Sequence, residues 1–168
     1  MVVIGFPLRY QKSDDDRSIL YISERIRRTF QKAEAYILPI APVQDVDYMK
    51  TRGNEFLELT DKEKDIIDFS LSLVDGIVFP GGIKITPYDR YLLERCIELK
   101  IPVLGICLGM QLLSCYKEKI EIDKNKTELN HNQESDFGFC HKVKISKNSK
   151  LYEILNKEEI EVNSFHQY

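Results

Sequence analysis

The sequence predicts an α/β fold built on a doubly wound, mostly parallel sheet. Three observations carry that expectation. Short apolar runs without polar alternation, "VVIGF", "AYILPI", "DGIVF" and "IPVLGI", recur along the chain, as expected of strands covered on both faces. Each is followed by a segment whose apolar residues recur at three- and four-residue steps. Four strand-then-helix units imply right-handed crossovers between parallel strands.

Residues 2–6 form the first β-branched run, ended by Pro7, and "SDDDRS" follows as a polar loop. Ile19, Ile22, Ile26 and Phe30 then predict an amphipathic helix over residues 18–33. "AYILPIAP" is a second strand, cut off by Pro39, and residues 43–59 are mixed and polar, with no periodicity that assigns them. Thr60 and Glu63 have the capping-box spacing, and Ile66, Ile67 and Leu71 supply the apolar face of the helix behind them. "DGIVFPGG" is a third strand running into glycines. Thr86 followed by Pro87 predicts an N-cap with proline at the first helical position, and Leu92, Leu93, Cys96, Ile97 and Leu99 a buried side. "IPVLGI" is the fourth strand, with a helix after Cys107. Beyond Glu118 the texture turns polar, then gives "FCHKVKI", a short helix at residues 150–155, and "EIEVN". Those last strands belong to a mixed or antiparallel region. No internal repeat or domain boundary is visible, so residues 1–168 read as a single domain.

Composition narrows the function. The 168 residues are 43% hydrophobic and 30% charged, which suits an ordinary globular core. Net charge is −3, with 24 basic residues spread among 27 acidic ones, which disfavours nucleic acid as a partner. No apolar run approaches the ~20 residues needed to span a bilayer. The opening "MVVIGFPLRY" lacks a basic segment ahead of its apolar one and reads as a strand, not a signal peptide. Cys96, Cys107, Cys115 and Cys140 show no CxxC pairing, so reduced thiols in a cytoplasmic protein are expected. Three scattered histidines without carboxylate spacing predict no metal site, and no cofactor motif is present.

One short stretch carries chemistry. Gly105-Ile106-Cys107-Leu108-Gly109 places a thiol where a buried strand becomes a helix. Glycines two before and two after the central residue are the mark of a nucleophile elbow, where neighbouring chain passes too close for a Cβ. Such a position lies at the N-terminus of a helix, which favours negative charge, and in the crevice where open α/β sheets bind ligands. The Leu108 backbone N–H is then placed to meet a developing oxyanion. Pro80, Gly81 and Gly82 end the preceding strand and open onto the same crevice, so Gly82 is a candidate second donor and Gly81 a candidate substrate contact. The residues alone leave the alternatives of a buried core cysteine and a plain PGG turn.

"PGG" followed by a helix, then "IPVLGICLGMQLL", resembles the class I (triad-type) glutamine amidotransferase domain. "NHNQ" with His131, "CHKVKI" with His141 and "EVNSFHQY" with His166 are similar to stretches of its γ-glutamyl-γ-aminobutyrate hydrolase-like branch. The resemblance implies a flavodoxin-like sheet. It implies that Cys107 attacks the γ-carbonyl of a glutamine-like substrate to form a γ-glutamyl thioester, which water then hydrolyses. Gly82 and Leu108 match the oxyanion-hole positions, and Gln111 matches a residue that hydrogen-bonds the glutamyl moiety. A solvated helix residue is the alternative for Gln111.

The family draws its general base and orienting acid from a later His-Pro-Glu motif, which does not occur in this sequence. A thiol in this role needs a base within hydrogen-bond reach. His166 is the candidate within these residues, although in the family its position borders the substrate cleft instead; His131 and His141 read as structural histidines. The resemblance therefore implies a C-terminally incomplete chain, with little or no amidase activity from these 168 residues alone. The segment after Gly82, "IKITPYDRYLLE", is shorter than in the polyamine-pathway hydrolases, so the amine half of the substrate is not carried over. Three functions follow: a partner-free γ-glutamyl amide hydrolase, a glutaminase subunit delivering ammonia to a separate synthase, or a non-catalytic domain lacking the base. The expected partners are a small γ-glutamyl substrate, a synthase in the second case, and a second copy if the chain is a homodimer.

Overall fold

The computed structural model describes residues 1–52, 55–118, 138–139 and 141–163. The chain divides into two compact units, Met1–Ile120 and Glu121–Tyr168.

In the first unit, strands β1 (Val2–Pro7), β4 (Ala35–Ile40), β5 (Gly76–Phe79) and β6 (Val103–Gly105) form one parallel sheet in the order β4-β1-β5-β6. The helices are α1 (Glu24–Lys32), α2 (Asp61–Leu71), α3 (Pro87–Glu98) and α4 (Leu108–Glu118). α1 packs on β4, α2 on α3, and α4 on β5 and β6. The chain winds one way from β1 to β4 and the other way to β5 and β6. The direction reverses between β1 and β5, where open sheets of this kind form a crevice at the carboxyl ends of their strands. The predicted α/β class and parallel sheet are what the structure shows.

The core lies between β1, β5 and the α2–α3 layer. Phe6, Ile67, Leu71, Ile77, Phe79, Leu92, Leu93, Cys96 and Leu112 are buried, and each side chain of that size contributes about 2 kcal/mol on burial. Both predicted N-caps form. Thr60 and Thr86 each accept from the N–H three residues on, and Glu63 and Asp89 return the bond. Ile66, Ile97 and Leu99 differ from expectation: each is close to half exposed, because they stand beside the buried stripe and not within it.

Residues 18–33 are not one helix. β2 (Arg9–Lys12) and β3 (Ser18–Tyr21) pair as an antiparallel hairpin, with Arg9 opposite Tyr21, and the polar "DDD" stretch is its turn. Helix α1 starts only at Glu24, after Ser23. The three-residue step from Ile19 to Ile22 imitates a helix, but cross-strand pairing with residues 9–12 takes the first part of the segment. Pro39 does not end its strand either. β4 runs on to Ile40 because it is an edge strand, where a missing N–H leaves no partner unpaired.

In the second unit, β7 (His141–Lys144) pairs antiparallel with β8 (Glu159–Val162), as anticipated, and α5 (Lys150–Leu155) lies between them in sequence. Ser149 caps α5 through the Tyr152 N–H, and Asn156 closes it in the left-handed conformation. Among the described residues no helix is long and apolar enough to cross a membrane.

Candidate active site

Ile106 and Cys107 are the two residues between the end of β6 and the first residue of α4. The φ of Cys107 is +53°, in the left-handed region that non-glycine residues rarely occupy. Two glycines make so tight a bend sterically feasible. A Cβ at Gly105 would stand 2.6 Å from the carbonyl carbon and oxygen of Gly109, and one at Gly109 would stand 2.1 Å from the Phe79 carbonyl oxygen. Neither glycine has a positive φ, so both are there for space. The Ile106 N–H donates to the Phe79 carbonyl at 2.9 Å, and the Gln111 N–H to the Cys107 carbonyl at 3.0 Å. The bend is thus tied to β5 on one side and to the first helical turn on the other. Its result is an exposed cysteine, whereas Cys96 and Cys115 are buried.

The turn after β5 faces this bend. A Cβ at Gly81 would lie 3.4 Å from the Cys107 Cβ and 3.8 Å from its Sγ. A Cβ at Gly82 would lie 3.0 Å from Leu108 Cδ2. Four of the sequence-predicted residues, Gly81, Gly82, Cys107 and Leu108, therefore meet at the carboxyl edge of the sheet. Leu108 is the first residue of α4, so its N–H lies outside the helical hydrogen-bond ladder. Gln111 is half-buried one turn further on. His141 opens β7 in the second unit. His131 and His166 lie outside the described residues.

Sequence reading missed the groups behind the turn. Arg9 is 4% exposed; its Nη1 donates to Asp89 Oδ1 at 2.5 Å and its Nη2 to the Pro80 carbonyl at 3.3 Å. Asp89, 1% exposed, also accepts from the Thr86 N–H and hydroxyl through Oδ2. Within the unassigned segment 43–59, Tyr48 is buried, and its ring lies 5.4 Å from those of Tyr10 and Phe56. Lys84 sits over Tyr10 and Phe56, at 5.7 and 5.2 Å, and donates to the Thr51 carbonyl. Burial pushes the Lys84 ammonium below its ordinary range. The T-x-x-D pattern at Thr86 was a visible sign of Asp89's role as a cap, but no local pattern marks Arg9 as buried.

Among the described residues, no group of three His, Cys, Asp or Glu side chains is placed to hold a metal ion. A cavity of about 600 Å³, lined by Ile22, Arg27 and Gln31 with residues of β4, lies at the opposite edge of the sheet from Cys107.

Comparison with known proteins adds to this geometry. Residues 88–168 match the Peptidase C26 family. The imidazole glycerol phosphate synthase subunit HisH of Bacteroides fragilis is 35% identical over 91 residues, covering 48% of this chain and 41% of that protein. The glutamine amidotransferase-like protein YvdE of Lactococcus lactis is 27% identical over 147 residues, covering 72% of this chain and 61% of that protein. CTP synthase of Levilactobacillus brevis is 32% identical over 105 residues, covering 58% and 19% respectively. The chain spans about two-fifths of the length of the HisH relatives it matches. Over residues 88–168 the chain is thus similar to the Peptidase C26 family, and over comparable stretches to HisH and to the glutamine amidotransferase-like protein YvdE, with a parallel sheet of the kind that the resemblance implies.

Proposed function

We propose that this protein hydrolyses the γ-amide of glutamine or of a glutamine-like γ-glutamyl compound, with Cys107 as nucleophile. One observation carries the reading: an exposed sulfur on a left-handed residue between strand and helix, facing a glycine turn so closely that a Cβ at Gly81 would stand 3.8 Å from it. In the proposed reaction Cys107 Sγ bonds to the γ-carbonyl carbon and the carbonyl π electrons move onto oxygen. The backbone N–H groups of Gly82 and Leu108 hold that oxyanion. The C–N bond then breaks and the amine leaves with a proton, giving a γ-glutamyl thioester. Water attacks the thioester, releasing glutamate and the thiolate. Gly81 and Gln111 border the glutamyl portion, and His166 is the candidate base within this sequence. A single glutamine amidotransferase-like domain of the γ-glutamyl-γ-aminobutyrate hydrolase-like branch is the finer form of this proposal.

A second reading is favoured by the relatives' names. HisH is called a synthase subunit, and CTP synthase is itself a synthase. On that reading the ammonia released here passes to a separate synthase.

The experiment uses the full-length encoded protein, incubated with glutamine and with γ-glutamyl amides, alone and with cell extract. Release of glutamate that disappears in Cys107→Ser is the expected result. Turnover by the isolated protein selects the free-standing hydrolase, and Cys107-dependent turnover only in the presence of extract selects the subunit. No turnover in either setting, together with a Cys107 inert to a glutamine-analogue chloroketone, would leave a non-catalytic domain.

A further inference from the structure

A turn built of two glycines has no side chains with which to anchor itself, yet an oxyanion-binding loop has to hold its donors within a few tenths of an ångström. The turn after β5 solves this from outside. Two consecutive residues of β2 grip it at both ends: Arg9 Nη2 donates to the Pro80 carbonyl at 3.3 Å, and the Tyr10 hydroxyl donates to the Lys84 carbonyl at 3.2 Å. Gly82 lies between those two grips. A Cβ there would stand 3.1 Å from Arg9 Cδ, 3.2 Å from Arg9 Nε and 3.0 Å from Leu108 Cδ2, so the glycine is sandwiched between the guanidinium and the start of α4.

Arg9 is poorly placed as a device for stability alone. Its Nε is buried with no hydrogen-bond partner, and a buried ion pair of this kind is often replaceable by apolar residues without loss. Nor does it present a bare cation to the site, because Asp89 neutralises it at 2.5 Å. Its effect on the site is therefore geometric. Position is handed from the first turn of α3, where Thr86 fixes Asp89, through Arg9 to the Pro80 carbonyl, and so to the glycines facing Cys107.

We infer that Arg9, with Tyr10 beside it, is a positioning residue that holds the residue 80–84 turn in register with Cys107. The inference rests on the reading of that turn as an oxyanion loop. The test compares two alkylations of Cys107 in the full-length protein. Iodoacetamide displaces iodide directly and develops no carbonyl oxyanion, whereas a glutamine-analogue chloroketone does. In Arg9→Met/Asp89→Asn, which removes both charges together, chloroketone labelling and kcat for glutamine should fall about 10- to 100-fold. Iodoacetamide labelling should stay within about twofold and KM within about threefold. Tyr10→Phe, which deletes one hydroxyl, should show the same split at several-fold, and Arg9→Lys should fall between. A chloroketone rate unchanged in the folded double variant overturns the inference, as does an equal fall with both reagents. If the double variant does not fold, an unchanged ratio in both Tyr10→Phe and Arg9→Lys overturns it instead. A wild-type protein showing no preference for the chloroketone sinks the proposed function itself, before any variant is compared.

Discussion

Gly109, in the first turn of α4, lies directly on the carbonyl of Phe79 at the end of β5, so closely that a methyl at residue 109 would come within 2.1 Å of that oxygen. Backbone atoms cannot rotate aside as a side chain can. Gly109→Ala is therefore expected to destabilise the protein by about 3 kcal/mol or more, and Gly105→Ala by a similar amount. Urea unfolding measures both, and a wild-type midpoint in either variant would contradict the close approach.

Gly81→Ala should behave differently. Its methyl would meet Cys107 Cβ at 3.4 Å and Sγ at 3.8 Å, an ordinary contact, on a backbone without positive φ. Stability is expected within about 1 kcal/mol of wild type. The same methyl narrows the approach to the sulfur, so chloroketone labelling should slow by about tenfold. Equal labelling would mean that substrate enters from elsewhere.

Cys107 itself carries strain, since a side chain at φ +53° costs about 1 kcal/mol relative to glycine. Cys107→Gly should raise the unfolding temperature by about 2–4 °C, while Cys107→Ala should leave it unchanged. Both should abolish labelling at this position. A Cys107→Gly protein no more stable than Cys107→Ala would argue against a strained bend.

The two capping boxes share local geometry and differ in burial. Thr60 is exposed, and Thr60→Ala should cost about 1 kcal/mol. Asp89→Ala removes a cap and also strands a buried guanidinium, so about 3–5 kcal/mol is expected. Comparable losses in thermal unfolding would refute the buried pair.

Burial pushes the Cys96 thiol from its ordinary value near 9 up to about 12. The group is neutral in the folded protein while the unfolded chain ionises first. Its contribution to stability is complete below pH 9, declines as the pH rises past that value, and is gone above about 12. Tyr48, pushed up to about 12 chiefly by burial, adds the same sign from about pH 10. Unfolding midpoints should thus fall from pH 9 upward, and Cys96→Val should flatten the slope between pH 9 and 10. Peptide mapping after iodoacetamide at pH 8 should find Cys107 modified and Cys96 intact. The reverse pattern would contradict the burial assigned to the two thiols.

Much of this molecule is legible in its sequence because the relevant signals are local. Continuous apolar runs mark β1, β4, β5 and β6, the capping-box spacing of Thr60 and Glu63 marks the start of α2, Thr86 before Pro87 marks that of α3, and the glycine spacing around Cys107 marks the bend. Where reading failed, a local signal was ambiguous. The apolar steps from Ile19 to Phe30 suit a single helix, and only the pairing of residues 18–21 with residues 9–12 takes the first of them away from it.

The placement of a thiol at the mouth of a parallel sheet was determined by the sequence alone, since strand, bend and helix are consecutive there and each is set by its own residues. What surrounds that thiol was decided by the tertiary structure. Arg9 meets Pro80 across 71 positions and Asp89 across 80. Contacts so distant leave no periodicity in any short window. They exist because β1 lies beside β5 in the sheet, which brings the residues that follow each strand to one edge, where a buried cation can reach the turn that faces Cys107.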